Sequence, residues 1–186
     1  MVSPHDDSIE LVDSRYDEWQ ERFVAERDRI RYALARHGLE DQLERLEHVG
    51  STAVPDLPSK DIVDIDIVVA DDGVSDVSDA VTSELGGDRV ANTDWWHPVF
   101  RVHDGQRFND HVFAASGDRW KLSVVTRDVL RVRSELRTEY EQLKHELSVE
   151  HDDLVAYSEG KTAFIERVIA TARSDEDLRF DFELPA

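Results

Sequence analysis

The sequence predicts an α+β (α/β) domain, a mixed sheet flanked by helices and followed by further helices at the C-terminal end. Three observations carry this. Ile62–Val69 is β-branched at every position except Asp64 and Asp66, the composition of a buried strand. Tyr16, Trp19, Phe23, Ile30 and Leu34 recur at intervals near three and four, the spacing of a helix. Beyond Trp120 the apolar period turns helical again and stays so to about Arg173.

Asp13 or Ser14 is placed to cap the first helix, Tyr16 to about Arg36, and Gly38 after a basic last turn stops it. A short turn over 39–43 leads into a strand around 45–49. After the central strand, Asp71-Asp72-Gly73 signals a turn, and Val74–Leu85 reads as an amphipathic helix closed by Gly86-Gly87. A tryptophan pair, Trp95 and Trp96, precedes two β-prone runs at 99–102 and 107–115. His103-Asp104-Gly105-Gln106 between them predicts a hairpin. Leu122–Val125 fits either a last strand or a helical lead-in. Residues 126–148 carry a stripe through Val129, Leu130, Leu136, Tyr140, Leu143 and Leu147, with a break near Ser134. Ser158 is placed to cap a last helix through Phe164 and Ile169, and the acidic tail SDEDLRFDFELPA is expected to fray. No linker or repeat divides the chain. It reads as one domain over 1–186, with an ordered core at 14–173 and a tail at 174–186.

Asp and Glu number 42 against 22 Lys and Arg, a formal net charge of −20 in 186 residues. The 40% hydrophobic content is enough for a core and excludes a disordered chain despite that charge. Such a surface repels anionic membranes and phosphate backbones, and no basic, aromatic-interleaved stripe offsets it, so nucleic acid is not an expected partner. The acids are spread over every segment, the pattern expected of adaptation to a salty, halophilic cytoplasm where the repulsion is screened. With no cysteine there is no disulfide, thiol nucleophile or cysteine-based zinc site. No apolar run reaches transmembrane length and the start MVSPHDDS does not read as a signal peptide, which makes a cytoplasmic location the expectation.

The chemistry concentrates between Glu47 and Val69. Gly50-Ser51-Thr52 follows a run ending in Val49, and a loop with Pro55 and Pro58 leads to Lys60, one of only four lysines, and then to Asp64 and Asp66. Alternate strand residues share a face, so the two aspartates project together. Burying two carboxylates without a partner is costly, which makes a metal ion the expected partner. Glycine lets a phosphate approach the backbone, Ser51 and Thr52 extend that loop with hydroxyls, and Lys60 would meet phosphates as a point charge. Asp64 and Asp66 would hold one or two Mg²⁺ (or Mn²⁺) ions that clamp a triphosphate. Each part has a plain alternative: a tight turn, or acids on the exposed face of an acidic protein. Their order along the chain is what favours a site.

The run His48-Val49-Gly50-Ser51-Thr52-Ala53-Val54-Pro55, with Lys60 and Ile62-Val63-Asp64-Ile65-Asp66 after it, is the first of three ordered motifs. The second is Arg127-Asp128-Val129-Leu130-Arg131 with Tyr140-Glu141-Gln142-Leu143-Lys144, and the third is Tyr157-Ser158-Glu159-Gly160-Lys161-Thr162-Ala163-Phe164-Ile165. On these the chain resembles the GrpB or UPF0157 family, whose members resemble the nucleotidyltransferase superfamily. The resemblance extends from Tyr16-Asp17-Glu18-Trp19 to the last helix. It implies a nucleotidyltransferase-like mixed sheet, with Gly50 and Ser51 matching the loop and Asp64 and Asp66 the carboxylate pair. A third carboxylate would come from a neighbouring strand. Many members carry His-Leu-His there, where this chain has Asn109-Asp110-His111; Asp110 is the candidate ligand, with His111 and water as alternatives. His111 also has readings as a general base or a packed core histidine. His48, Arg127, Lys144, Tyr157 and Lys161 are candidates for substrate contact, each with a packing or ion-pair alternative. The activity implied is Mg²⁺-dependent transfer of a nucleoside monophosphate from a nucleoside triphosphate to an unnamed acceptor. The alternative is a nucleotide-binding or regulatory module that keeps the fold without catalysis.

Overall fold

The computed structural model describes residues 9–90, 93–151 and 154–185; the polar start at 1–8 lies outside them. The elements are α1 (Tyr16–His37), β1 (Leu43–Val49), β2 (Ile62–Val69), α2 (Val74–Leu85), β3 (Asp88–Arg89), β4 (Trp96–His103), β5 (Gln106–Ala114), α3 (Arg119–Val132), α4 (Ser134–Glu150), α5 (Leu154–Glu159) and α6 (Thr162–Ser174). One sheet takes the order β1-β2-β5-β4-β3. It is mixed, because β2 and β5 run parallel while the other pairs are antiparallel. Lying inside the sheet with both faces covered, β2 needs the near-continuous β-branched run that its sequence supplies.

The strand pairing sorts the side chains into two sets. On one face Val63, Ile65, Ile67 and Val69 of β2 join Val99, Phe108 and Val112 and pack against Trp19, Ile30 and Leu34 of α1 and Val74, Val77 and Val81 of α2. On the other, Val49, Val68 and Phe113 meet Trp120 and Val124 of α3. A further cluster joins α3, α4 and α6 through Val125, Val129, Leu130, Tyr140, Phe164, Val168 and Ile169, and closes over Val54 and Leu57 of the β1–β2 loop. No helix among the described residues is long and apolar enough to cross a membrane.

Several local expectations are corrected. The cap position of α1 is Arg15, with no side-chain cap bond, so neither Asp13 nor Ser14 serves there. Gly38 does end the helix, in the left-handed conformation at φ 66°. Leu122–Val125 is helical, and the break near Ser134 falls at Arg133, whose extended backbone separates α3 from α4. Ser158 lies inside the short α5, and Lys161 occupies the cap position of α6. The tail is not frayed over 175–185: Leu178, Phe180, Phe182 and Leu184 alternate with acids and pack on the helical cluster. Phe182 meets Trp120 edge-on at 4.9 Å, while Asp175 and Asp181 pair with Arg133 and Arg45.

Under α1 sits a buried ionic triad. Arg101 of β4 places Nη1 2.6 Å from Glu26 Oε1 and donates from Nε to Asp110 Oδ2 at 2.6 Å. All three side chains are at most 1% exposed. Burial pushes the Asp110 carboxyl up to about 6 even though Arg101 pulls it down. Breaking a buried pair by removing one partner leaves charge uncompensated. Arg101→Leu is therefore expected to lower the unfolding free energy by about 3–5 kcal/mol, read by urea denaturation.

Candidate active site

Parity along the strands decides which predicted residues meet. Asp64 and Asp66 stand opposite Asn109 and His111 of β5 and Val49 and Glu47 of β1. Asp110 stands opposite Ile65 and so belongs to the other face, within the ionic triad. The expectation that it joins the aspartate pair as third ligand is thereby corrected. Since side chains alternate with period two, one residue of register separates a ligand from a core ion pair. Asn109 takes its place, donating from Nδ2 to Asp64 Oδ1 at 3.1 Å.

Gly50 brings the loop onto this face. Its φ of 70° with ψ near −170° is open essentially to glycine alone, and a Cβ there would overlap Asp64 Oδ2. Asp66 is 1% exposed, and neither carboxylate oxygen receives a well-formed hydrogen bond, the neighbouring Ser123 hydroxyl donating to the Arg119 carbonyl. Loss of water pushes its proton affinity well above the ordinary value; Asp64 and Glu47 add to this, against some relief from the Ser123 hydroxyl and Arg127. Asp64 is also pushed up by desolvation, opposed by His111, Lys60 and the Asn109 bond.

On the Lys60 side of Asp64 lies a cavity of about 210 Å³ lined by Gly50, Ser51, Lys60, Asn109, Tyr140, Lys144, Tyr157 and Lys161 among others. Three of the four lysines thus converge in one cavity. Lys144 is 2% exposed, donates to the Pro58 carbonyl and stands 5.3 Å from the Tyr140 ring. Burial lowers its ammonium to about 7. Lys161 lies 4.3 Å from the Tyr157 ring and is lowered to about 8, by burial first and by Lys60 second. The Tyr140 hydroxyl bonds Ser51 and is held at about 12, chiefly by burial. Tyr157 lines the same cavity, with the Lys161 ammonium over its ring.

Towards the C-terminal ends of β2 and β5 a second cavity, about 310 Å³, shares Gly50 and Asp64 and adds Asp66, Trp96, His111, Phe113, Arg119 and Ser123. Trp96, His111 and Phe113 form its aromatic wall, with centroids 5.9–6.0 Å apart. Burial lowers the His111 imidazole, against the pull of Asp64.

Other candidates support the loop, and of these Thr52 lines the lysine cavity and Arg127 lines a further cavity of about 240 Å³ beside Gly50, Ser123 and Tyr140. His48 is held between Gln20 Oε1 and Thr52 Oγ1, each at 3.0 Å, and stacks on Phe23; burial lowers it to about 3. It and Thr52 lock the loop from behind, which is the structural alternative for His48. Arg127 lies in mid-helix, not at a helix start. It donates to Glu47 Oε2 at 2.7 Å, His48 O at 3.0 Å and Asp128 Oδ1 at 2.7 Å, so it ties α3 to β1. Asn109, Trp96 and Ser123 were not foreseen at the site. Which of Asn109 and Asp110 faces Asp64 depends on the register of β5 against β2, and nothing local marks Ser123.

The donor set fits a small hard cation. Two orphaned oxygens on Asp66 and a partly exposed Asp64 are the oxygen ligands Mg²⁺ prefers. No group of three His, Asp or Glu converges for a metal among the described residues. The protein would supply two carboxylates, leaving other positions to water or phosphate.

Fold and site define an α+β protein in which an acidic pair on a mixed sheet faces a lysine-lined cleft beneath C-terminal helices. The family model described as GrpB protein matches residues 8–171, and the chain belongs to that family. A UPF0157 protein of Halalkalibacterium halodurans is 31% identical over 178 residues, spanning 93% of this chain and 87% of the relative. The crystal structure of the conserved protein GrpB from Enterococcus faecalis shares the fold at a TM-score of 0.71 and 22% identity, over 86% of this chain and 94% of that one. Looser neighbours are nucleotidyltransferases, among them the RNA terminal uridylyl transferase Cid1, with a TM-score of 0.47 and 15% identity over 68% of this chain and 38% of that one. At that distance the chemistry rests on the residues.

Two substitutions test the site's strain. Gly50→Ala is expected to cost about 1–3 kcal/mol from backbone conformation alone and to displace Asp64. Gly38→Ala has open space around the added methyl, and its cost stays near about 1 kcal/mol. Asp66→Asn should raise the melting temperature of the metal-free protein at pH 7–8. Because the folded-state carboxyl is raised above its unfolded value, its contribution to stability is full below about pH 4 and is lost as pH rises through the folded-state value. The gap between variant and parent should therefore close towards pH 4 in a calorimetric scan.

Proposed function

We propose that this protein is a Mg²⁺-dependent nucleotidyltransferase that moves a nucleoside monophosphate from a nucleoside triphosphate to an acceptor. The observation that carries the reading is the meeting, at Gly50, of the Asp64/Asp66 pair with a cavity holding three of the chain's four lysines. Lys144 and Lys161 have no carboxylate within ion-pair distance among the described residues, although the chain holds 42 acids. Two desolvated ammonium groups, offset only by the longer-range pull of Glu141 on Lys144 and Asp64 on Lys161, suit a polyanion.

Asp64 and Asp66 would hold Mg²⁺, which supplies charge neutralisation at the phosphates. The Gly50 backbone and Ser51 hydroxyl receive the phosphate chain, and the lysines receive the leaving pyrophosphate. An acceptor oxygen bonds the α-phosphorus as the bond to the bridging oxygen of the pyrophosphate breaks. The acceptor's proton passes to a site carboxylate as the oxygen attacks. In-line displacement puts the acceptor opposite the leaving group, in the cavity walled by Trp96, His111 and Phe113.

A second reading keeps the fold and nucleotide binding without catalysis. The observation that favours it is Asp110, which faces away, while the carboxylate that does stand opposite Asp66, Glu47, is paired with Arg127. Incubation with labelled nucleoside triphosphates, Mg²⁺ and cell extract separates the two. Transfer should yield a labelled acceptor, falling about 100-fold or more in Asp64→Asn. Calorimetric binding without turnover would select the second reading, and absence of binding would sink both.

Binding should also respond to pH in a defined direction. A bound polyphosphate favours both ammonium groups in charged form and raises them from about 7 and about 8. Triphosphate affinity should therefore be greatest near pH 7 and fall as pH rises beyond 8, at fixed ionic strength in calorimetry. Lys161→Ala should weaken binding by about 10- to 100-fold and flatten that dependence.

A further inference from the structure

The cleft's second strand places Asn109 and His111 opposite the carboxylate pair. Asn109, opposite Asp64, donates its amide to Asp64 Oδ1. His111, opposite Asp66, accepts at Nδ1 a hydrogen bond from the Trp96 indole Nε1–H at 3.3 Å. An indole nitrogen can only donate, so Nδ1 carries a lone pair and the imidazole is neutral, with its hydrogen on Nε2. A metal-ligating histidine has the reverse arrangement, with its remote nitrogen donating to a carboxylate, carbonyl or water and its near nitrogen free to bind. Here the only lone pair is engaged by Trp96. The ring packs against both Trp96, tilted, and Phe113, with the three centroids at the corners of a triangle 5.9–6.0 Å on a side.

We propose that His111 serves the site as a hydrogen-bond donor from Nε2 and not as a metal ligand, so that Asp64 and Asp66 hold a single divalent cation. The Nε2–H would take the position of a second cation, donating to a phosphoryl oxygen at the cavity that His111 shares with both aspartates. Trp96 is a positioning residue, because its indole fixes which nitrogen is protonated. The geometry of β5 reinforces this: the residue that would bridge two ions, Asp110, is committed to Arg101 on the opposite face. The proposal rests on the reading of Asp64 and Asp66 as a cation site.

Long-range ¹H–¹⁵N spectra of the imidazole rings, with His111 assigned by its loss in His111→Gln, test the tautomer without reference to turnover. Nδ1 should be unprotonated and Nε2 protonated, both without metal and with Mg²⁺ plus a non-hydrolysable nucleoside triphosphate analogue. Electron paramagnetic resonance should count one tightly held Mn²⁺ per chain that Asp66→Asn removes, with no directly bonded nitrogen. In Trp96→Phe the indole donor is gone, and both imidazole tautomers should appear. A protonated Nδ1 in the parent protein, a nitrogen ligand to Mn²⁺, or two ions lost together in Asp66→Asn would overturn the proposal while leaving the cation site standing. An unchanged tautomer in Trp96→Phe would remove Trp96 from its role. Failure to bind Mn²⁺ at all would overturn both this inference and the reading it rests on.

Discussion

Asp66 keeps a carboxylate inside the sheet face with no well-formed hydrogen bond to either oxygen, and much of the surrounding structure is arranged about that cost. A buried unpaired carboxylate is among the most expensive features a domain of this size can carry. Its neighbours increase the cost, since Asp64 and Glu47 repel it. An ordinary core would have replaced it with an apolar residue, as the flanking β-branched positions show is sterically easy. Strain of this kind persists where the surroundings over-determine it and where a ligand relieves it. Gly50 belongs to the same arrangement, because its backbone is pressed onto Asp64 in a conformation that side chains avoid.

The loop that bears Gly50 is held from behind by uncharged contacts. His48 bridges Gln20 and Thr52, and its depressed proton affinity keeps that bridge neutral over the physiological range. Arg127 and Arg131 add bonds from α3 to the carbonyls of His48 and Ala53 at the loop's two ends. In the most recognisable motif His48 therefore acts on the position of Gly50, while Thr52 both bonds His48 and lines the lysine cavity. A rigid loop supported from a second layer is what a phosphate cradle requires.

Much of the fold was legible because its signals are local. The unbroken β-branched run of β2, the helical stripe of α1 and the hairpin turn at Asp104-Gly105 each follow from spacing within a few residues. The aspartate pair was legible for the same reason, since two residues apart on a strand means one face. Asp110 was misplaced because its face depends on the register between β2 and β5, a long-range quantity that no local pattern records. The tail was misjudged because its acids dominate its composition, whereas its folded position is decided by four alternating apolar residues finding Trp120 and the helical cluster. Ser123 and Tyr140 reach the site through the packing of α3 and α4, which the sequence marks only as an apolar stripe.

The division of labour between the two kinds of cation follows from their chemistry. Arginine stays charged at any accessible pH and offers a rigid fork, and the two most buried in ion pairs are committed: Arg101 to Glu26 and Asp110, Arg127 to Glu47 and Asp128. Lysine is a compact charge that yields its proton when buried without a counter-ion. Lys121 pairs with Asp118 at the surface, while Lys60, Lys144 and Lys161 face the cleft. In a chain of net charge −20, carboxylates close enough to neutralise Lys144 and Lys161 would be easy to supply, yet aromatic rings and a carbonyl surround them instead. Lowered proton affinity lets the cleft hold them with part of their charge given up, and an arriving polyphosphate would restore it. Arginine in the same positions would stay charged in the empty cleft and draw in the protein's own acids.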